Sequence, residues 1–105
     1  MINKYRAKSA AYDGHLYHSK KEALYAFELN MRVRAKELKG WRRQVHVPLK
    51  VNNIKVCSYI IDFVEEYPDG HERWVEIKGQ PHPVGELKIK MFRAQFPERD
   101  FVVIR

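Results

Sequence analysis

The apolar residues of this 105-residue chain change their spacing along the sequence, and the first regular pattern has the period of a helix. From residue 20 to residue 39 they recur at steps of three and four. The predicted apolar stripe is Leu24, Phe27, Met31, Ala35 and Leu38, with Ala23, Ala26 and Leu29 beside it. Ser19 and Glu22 have the spacing of a capping box, and Gly40 suits the position after a helix. We therefore predict a helix over residues 20–39.

After Gly40 the pattern becomes that of strands. Apolar and polar residues alternate over 45–49, which is typical of a half-buried strand. Residues 54–64 form a long apolar, β-branched run, and residues 71–78 return as the next strand. Asn52-Asn53 and Pro68-Asp69-Gly70 are turn sequences between these runs. We therefore predict three antiparallel strands.

The last third of the chain predicts one more helix and one more strand. Residues 79–85 hold Pro81 and Pro83, so we expect irregular structure there, followed by a helix over 86–96. Residues 101–104 read as a buried strand. Residues 1–11 are polar and basic, and we expect a loose arm. The order predicts a single α/β domain over residues 1–105, with a central mixed sheet flanked by helices.

Composition narrows the class of protein and its partners. Hydrophobic residues make up 45% and aromatic residues 12%, too much for a disordered chain. Twenty Lys and Arg against thirteen Asp and Glu give a net charge of +7, which favours a polyanionic partner such as nucleic acid, although a merely basic protein is the alternative. The single cysteine, Cys57, fits a reducing compartment. Without a signal peptide or membrane span in the sequence, we expect a cytoplasmic protein with no membrane partner.

One Glu-x-Lys triplet stands in a predicted strand, where side chains two residues apart leave the same face. Glu76-Ile77-Lys78 is that triplet, whereas the triplets that begin at Glu37 and Glu86 fall on predicted helices. Asp62 lies in an apolar run on the preceding strand, and a charge there is costly unless it is paired or binds a metal. We therefore expect Asp62, Glu76 and Lys78 to form a site.

These residue types suit a divalent cation and an activated water. Asp62 and Glu76 would supply oxygen ligands to Mg²⁺, and the carbonyl of Ile77 could add a third. Lys78 would hydrogen-bond the attacking water beside a phosphate. The alternative is an exposed strand whose Glu–Lys pair faces solvent.

Two further polar residues have both a structural and a functional interpretation. Glu22 is either the acid of the capping box or a carboxylate that the helix aims at the site. Gln44 is either a site residue on the first strand or a solvent-facing position. The histidines show no metal-ligand spacing, so we interpret them as surface residues or DNA contacts: His15, His18, His46, His71 and His82.

Together these segments resemble the PD-(D/E)XK nuclease superfamily. The resemblance runs from about Tyr12 to the C-terminus and rests on residues 19–23, 43–44, 61–63 and 75–79. It implies a restriction-endonuclease-like α-β-β-β-α-β core, the same order that the hydrophobic pattern predicts. By this resemblance the residues that match the superfamily's site are Asp62, Glu76, Lys78, Glu22 and, less specifically, Gln44. Ile61 stands where the motif has a proline.

The resemblance implies a Mg²⁺-dependent DNA endonuclease that leaves 5′-phosphate ends, with Mn²⁺ expected to substitute. The chain most resembles small phage-encoded members, and it is similar to junction-resolving endonucleases and to the end-cleaving subunits of some transposons. This resemblance implies a phage or mobile-element protein in a bacterial host. The expected DNA contacts are Lys20, Lys21, Arg42, Arg43, Lys88 and Lys90. A monomer would nick one strand, whereas a homodimer could cut two strands or resolve a junction.

Two other functional classes stay open. One is a non-catalytic DNA-binding module on the same fold, within a recombination or packaging complex. The other is an interaction or inhibitory protein that uses its basic face against an acidic partner.

Overall fold

The structure, a computed structural model, describes residues 10–105, which form two sheets and two helices. The elements in chain order are β1 (Ala10–Tyr12), β2 (His15–Tyr17), α1 (Lys20–Arg34), β3 (Gly40–Val51), β4 (Ile54–Glu66), β5 (Glu72–Ile77), α2 (Pro83–Gln95) and β6 (Asp100–Ile104). β1 and β2 pair as a short hairpin that precedes the predicted core. The predicted order of helix, three strands, helix and strand is confirmed. No helix within residues 10–105 is long and apolar enough to cross a membrane.

The larger sheet has the order β3-β4-β5-β6, and a helix packs on each of its faces. β3, β4 and β5 are antiparallel, and β6 lies parallel to β5. The buried side chains of α1 pack with Phe63 and Val75 on one face, whereas Ile89 and Phe92 of α2 pack with Trp74 on the other. The predicted α/β class, with a central mixed sheet flanked by helices, is confirmed.

Helix α1 ends five residues before its predicted end. Lys36 adopts a left-handed φ of 63°, its N–H donates to the carbonyl of Val33, and the N–H of Glu37 donates to the carbonyl of Arg32. These are the two bonds of a Schellman motif, which stops the helix and caps its last carbonyls. Gly40, the predicted residue after the helix, instead begins β3.

The buried face of α1 also differs from the predicted stripe. Ala23, Ala26 and Leu29 are buried, whereas Leu24 and Phe27 are 64% and 49% exposed. The small alanines belong to a cluster with the large rings of Tyr17 and Phe63, so they let the helix approach the sheet closely.

The two predicted turns are confirmed, and the second helix begins earlier than predicted. Asn52 and Asn53 both have positive φ, and Gly70 has φ 92° in the turn before β5. α2 begins at Pro83 rather than at Glu86, because proline lacks only an N–H that the first helical turn leaves unpaired. The predicted arm over residues 1–11 lies mostly outside the described residues. Its last two residues pair in β1, because the turn at 13–14 folds them onto β2.

Candidate functional site

The candidate site lies where β4 and β5 separate. Their last ladder pair is Phe63 with Val75, and the next two residues, Asp62 and Glu76, face each other without a ladder pair. The N–H of Asp62 donates to Glu76 Oε1 at 3.3 Å, and the N–H of Ile77 donates to Asp62 Oδ2 at 2.8 Å. Two carboxylates thus replace the backbone acceptors of the ladder and are held at the fork between the strands.

The irregularity in the sheet at Asp62 and Glu76 extends to Gln44 of the neighbouring strand β3. Gln44 lies opposite Asp62, between the pairs Arg43–Phe63 and Val45–Ile61, and it has a left-handed φ of 54°. In a regular strand, residues 61 and 63 would lie on the same face of the sheet. Here Phe63 packs on the α1 face, whereas Val45 and Ile61 pack on the α2 face. Among the described residues, Gln44 adjoins Asp62 along the sheet but does not line the cavity at the fork.

A cavity of about 610 Å³ opens at this fork, between the first turns of α1 and α2. It brings together Glu22 from α1, Asp62 from β4, Glu76 from β5 and Lys78 just after β5. The predicted Asp62, Glu76, Lys78 and Glu22 therefore share one cavity.

Burial and mutual repulsion disfavour ionisation of the carboxylates in this cavity. Desolvation first, and then the charge of Asp62, raises the pKa of Glu76 to about 8. The same two causes raise the pKa of Glu22 to about 7, and desolvation raises that of Asp62. A proton or a cation in the cavity would therefore relieve the repulsion.

Glu22 combines the two roles that its sequence position suggests. Its N–H donates to Ser19 Oγ at 3.1 Å, which is the helix-capping half of a capping box. Its carboxylate accepts from the backbone N–H of His18 and lines the cavity, where the side chain is buried. The capping geometry itself therefore directs this carboxylate towards the fork.

Several residues that contact the predicted site were missed by the sequence analysis, among them Tyr59 and Glu86. The buried hydroxyl of Tyr59 donates to Glu76 Oε2 at 2.9 Å, and a tyrosine in an apolar strand run was the available signal because its hydroxyl needs a partner. Glu86 Oε2 lies 4.0 Å from Lys78 Nζ. Its own Glu-x-Lys triplet forms no joint site, and no local signal pointed to a contact with Lys78.

The predicted metal ligands are only partly assembled. The Glu76 carboxylate accepts from the N–H of Asp62, the Asp62 carboxylate accepts from the N–H of Ile77, and Ile77 is buried. Within residues 10–105, no group of three or more His, Cys, Asp and Glu side chains is arranged to hold a metal ion. Asp62 and Glu76 nevertheless supply the hard oxygen donors that Mg²⁺ prefers, and two carboxylates can be enough because this ion keeps several of its waters.

The predicted DNA contacts are spread over several surfaces. Arg42 Nη1 binds Glu66 and Glu72 at 2.8 and 2.9 Å, and Lys88 Nζ donates to the carbonyl of Ser58 at 2.9 Å. The guanidinium of Arg43 lies 4.3 Å over the ring of Tyr17. Lys20, Lys21 and Lys90 are exposed. Of the six predicted DNA contacts, all of which lie within the described residues, only Lys21 lines the cavity.

Two of the five histidines lie at the candidate site. His18 and His82 line the cavity, so they are closer to the candidate site than their sequence positions suggested. His71 instead pairs with Asp100 at 2.8 Å, which ties the turn before β5 to the start of β6.

Comparison with known proteins gives a family without a known activity. Neither the curated proteins nor the solved structures contain a match. The model of the family described as "Protein of unknown function (DUF1064)" matches residues 2–105. Because this match spans nearly the whole sequence, the chain belongs to the DUF1064 family.

Proposed function

We propose that this protein is a Mg²⁺-dependent DNA endonuclease of the PD-(D/E)XK type. One observation carries the proposal: the fork between β4 and β5 brings Asp62, Glu76 and Lys78 into one cavity, which Glu22 of α1 also lines. Buried carboxylates with raised pKa values beside a lysine are typical of a site that handles a cation and a phosphate.

In this proposal Asp62 and Glu76 hold the cation, and Glu22 and the carbonyl of Ile77 are the further oxygen donors. Bound there, Mg²⁺ would offset the charge that develops on the scissile phosphate. Tyr59 keeps Glu76 oriented through its hydroxyl, and the backbone N–H of Ile77 does the same for Asp62.

Lys78 and Glu22 would handle the attacking water. The Lys78 ammonium would donate hydrogen bonds to this water and to the phosphate, and Glu22 would accept one from the water. The water oxygen would attack phosphorus as its proton passes to Glu22, the bond to the 3′ oxygen would break, and the leaving oxygen would take up a proton from solvent. The products would be a 5′-phosphate and a 3′-hydroxyl.

The net charge of +7 supports DNA as the substrate, and Lys21 supplies a cation at the cavity itself. Arg42 is engaged with two carboxylates, and Lys88 with a backbone carbonyl. We therefore expect both to contribute less to DNA binding than Lys21.

The test is cleavage of supercoiled plasmid and of a synthetic four-way junction with Mg²⁺, Mn²⁺ or EDTA. We expect metal-dependent product that falls at least about 100-fold in Asp62→Asn and Lys78→Ala, because each removes a group that acts on the reacting atoms. DNA affinity should stay within a fewfold of the wild type. Lys39→Ala, which removes an exposed lysine outside the cavity, is the matched control.

Full activity in either site variant, or product formed in EDTA, would refute the proposal. DNA binding without cleavage on any substrate would favour the second candidate, a non-catalytic DNA-binding module. That candidate rests on the net charge of +7, which favours a polyanionic partner whether or not the DNA is cleaved.

A further inference from the structure

The side chain of Lys78 is mostly buried, and its backbone is bonded to β6. Its side chain is 12% exposed, although lysine is almost always a surface residue. Its backbone N–H donates to the carbonyl of Ile104 at 2.7 Å, which fixes the end of β5 to the end of β6. The direction of the side chain is therefore set by its surroundings rather than by solvent.

Gly85, in the first turn of α2, provides the space that the ammonium occupies. A Cβ at this position would overlap Lys78 Nζ and lie 3.4 Å from its Cε. The backbone does not require glycine there, because Gly85 is helical and its φ is not positive. Because glycine is an unfavourable residue inside a helix, we interpret its role here as leaving space for the Lys78 ammonium.

Glu86, the next residue, carries the negative charge that attracts the Lys78 ammonium. The positive end of a helix dipole disfavours an ammonium, and an acid in the first turn offsets it. Glu86 Oε2 lies 4.0 Å from Lys78 Nζ, a distance that attracts the ammonium without using up one of its hydrogen bonds. Arg105 holds Glu86 in turn, with bonds of 2.9 and 3.3 Å to its two carboxylate oxygens.

We infer that Gly85 and Glu86 are positioning residues that seat the Lys78 ammonium in the cavity, an inference that rests on the proposed function. Because Gly85 and Glu86 hold the ammonium in place, its three N–H donors stay available to a phosphate or a water in the cavity. Without these two residues, the long side chain of Lys78 would spread over several rotamers.

The decisive variant is Gly85→Ala, compared with Val84→Ala, which changes an exposed neighbour on the same helical turn. The new methyl group should displace the flexible end of Lys78 rather than the helix, because rotation about side-chain bonds is the least costly adjustment. We expect kcat to fall at least tenfold and the KM for DNA to stay within twofold. Resistance to unfolding should be unchanged or raised, because alanine is the better helix former.

A double-mutant comparison separates positioning from a general effect on the fold. If Gly85 acts through Lys78, Gly85→Ala should cost less than twofold in a Lys78→Ala background. Glu86→Gln should lower kcat about three- to tenfold, with Glu98→Gln, an exposed acid beyond α2, as its control. Unchanged kcat in Gly85→Ala, or an equal loss in both backgrounds, would overturn the inference.

Crystal structures of the wild type and of Gly85→Ala test the positioning of Lys78 even if the protein cleaves no DNA. A shift of Lys78 Nζ away from the first turn of α2 would support the inference, and an unchanged position would refute it. An inactive wild type that shows the shift would refute the nuclease proposal alone.

Discussion

Burial of the cavity carboxylates has a consequence for stability that depends on pH. The pKa of Glu76 rises from its usual 4.5 to about 8 in the folded protein, mainly through desolvation. Between these values the folded state binds more protons than the unfolded state, so stability falls as pH rises through this window. Glu22 acts in the same direction, with a pKa of about 7.

Glu76→Gln should therefore reduce this dependence on pH in the metal-free protein. We expect the wild type in EDTA to lose roughly 1–3 kcal/mol of unfolding free energy between pH 5 and pH 8.5. The variant should lose less than half of that amount, because the amide cannot ionise. Urea unfolding at the two pH values measures the difference.

Glu28→Gln, which changes an exposed acid on α1, is the control for this measurement and should behave as the wild type does. A wild type whose stability rises between pH 5 and pH 8.5 would contradict the prediction. The stability lost at high pH should return with Mg²⁺ if the cation binds at Asp62 and Glu76.

At the scale of the elements, the left-handed residue after α1 is a position where the sequence is not optimal for stability. Lys36 has φ 63°, a conformation that glycine adopts without steric cost. Lys36→Gly should raise the unfolding free energy by about 0.5–1 kcal/mol, as measured by urea unfolding. Lys39→Gly, at an exposed position without a positive φ, should lower it or leave it unchanged.

Hydrophobic period predicted the existence and order of the elements from α1 to β6, but not their ends or the buried face of α1. Apolar residues lie on two sides of α1, so the sequence could not show that Ala23 and Ala26 face the sheet while Leu24 faces solvent. A lysine in a left-handed conformation has no local signal, so the end of α1 was missed. Pro83 was interpreted as a helix breaker, although it occupies the first position of α2.

The candidate site was predictable to the extent that it depends on neighbouring strands. Alternation along the strands placed Asp62 near Glu76 and Lys78, and the capping pattern drew attention to Glu22. Glu86 was missed because it reaches Lys78 only through the packing of α2. The opening of the ladder at Asp62 was also missed, because it depends on the register between strands.

At the scale of the whole molecule, β3 and β4 extend beyond the rest of the sheet. β4 pairs with β5 only over residues 63–66, so residues 45–61 form a two-stranded ribbon. The ribbon contains no Asp or Glu and carries Lys50 and Lys55 near its tip. Its exposed apolar residues include Val56 and Ile60.

A polyanion is the partner that this charge pattern favours. Two copies of the ribbon would bring their lysines together without a compensating acid, whereas DNA would be attracted to them. About eight residues separate the tip from Asp62, or roughly 25 Å of strand. DNA in contact with the tip would thus extend about 7–8 base pairs from the cavity.

The double variant Lys50→Ala, Lys55→Ala should therefore bind DNA about tenfold more weakly than the wild type. The slope of log affinity against log salt should fall by about 2, as expected for two lost phosphate contacts. Lys36→Gly, Lys39→Ala removes the same charge near the end of α1 and should have a smaller effect. Equal losses in both double variants would show that net charge, rather than the ribbon, determines affinity.

The fork between β4 and β5 also makes one backbone amide a reporter on the cavity. The N–H of Ile77 donates to the Asp62 carboxylate rather than to a strand carbonyl. Its proton resonance and its rate of hydrogen exchange should therefore follow the charge on that carboxylate, which a proton or a bound cation would reduce. A single NMR signal can thus follow the occupancy of the cavity without any substrate present.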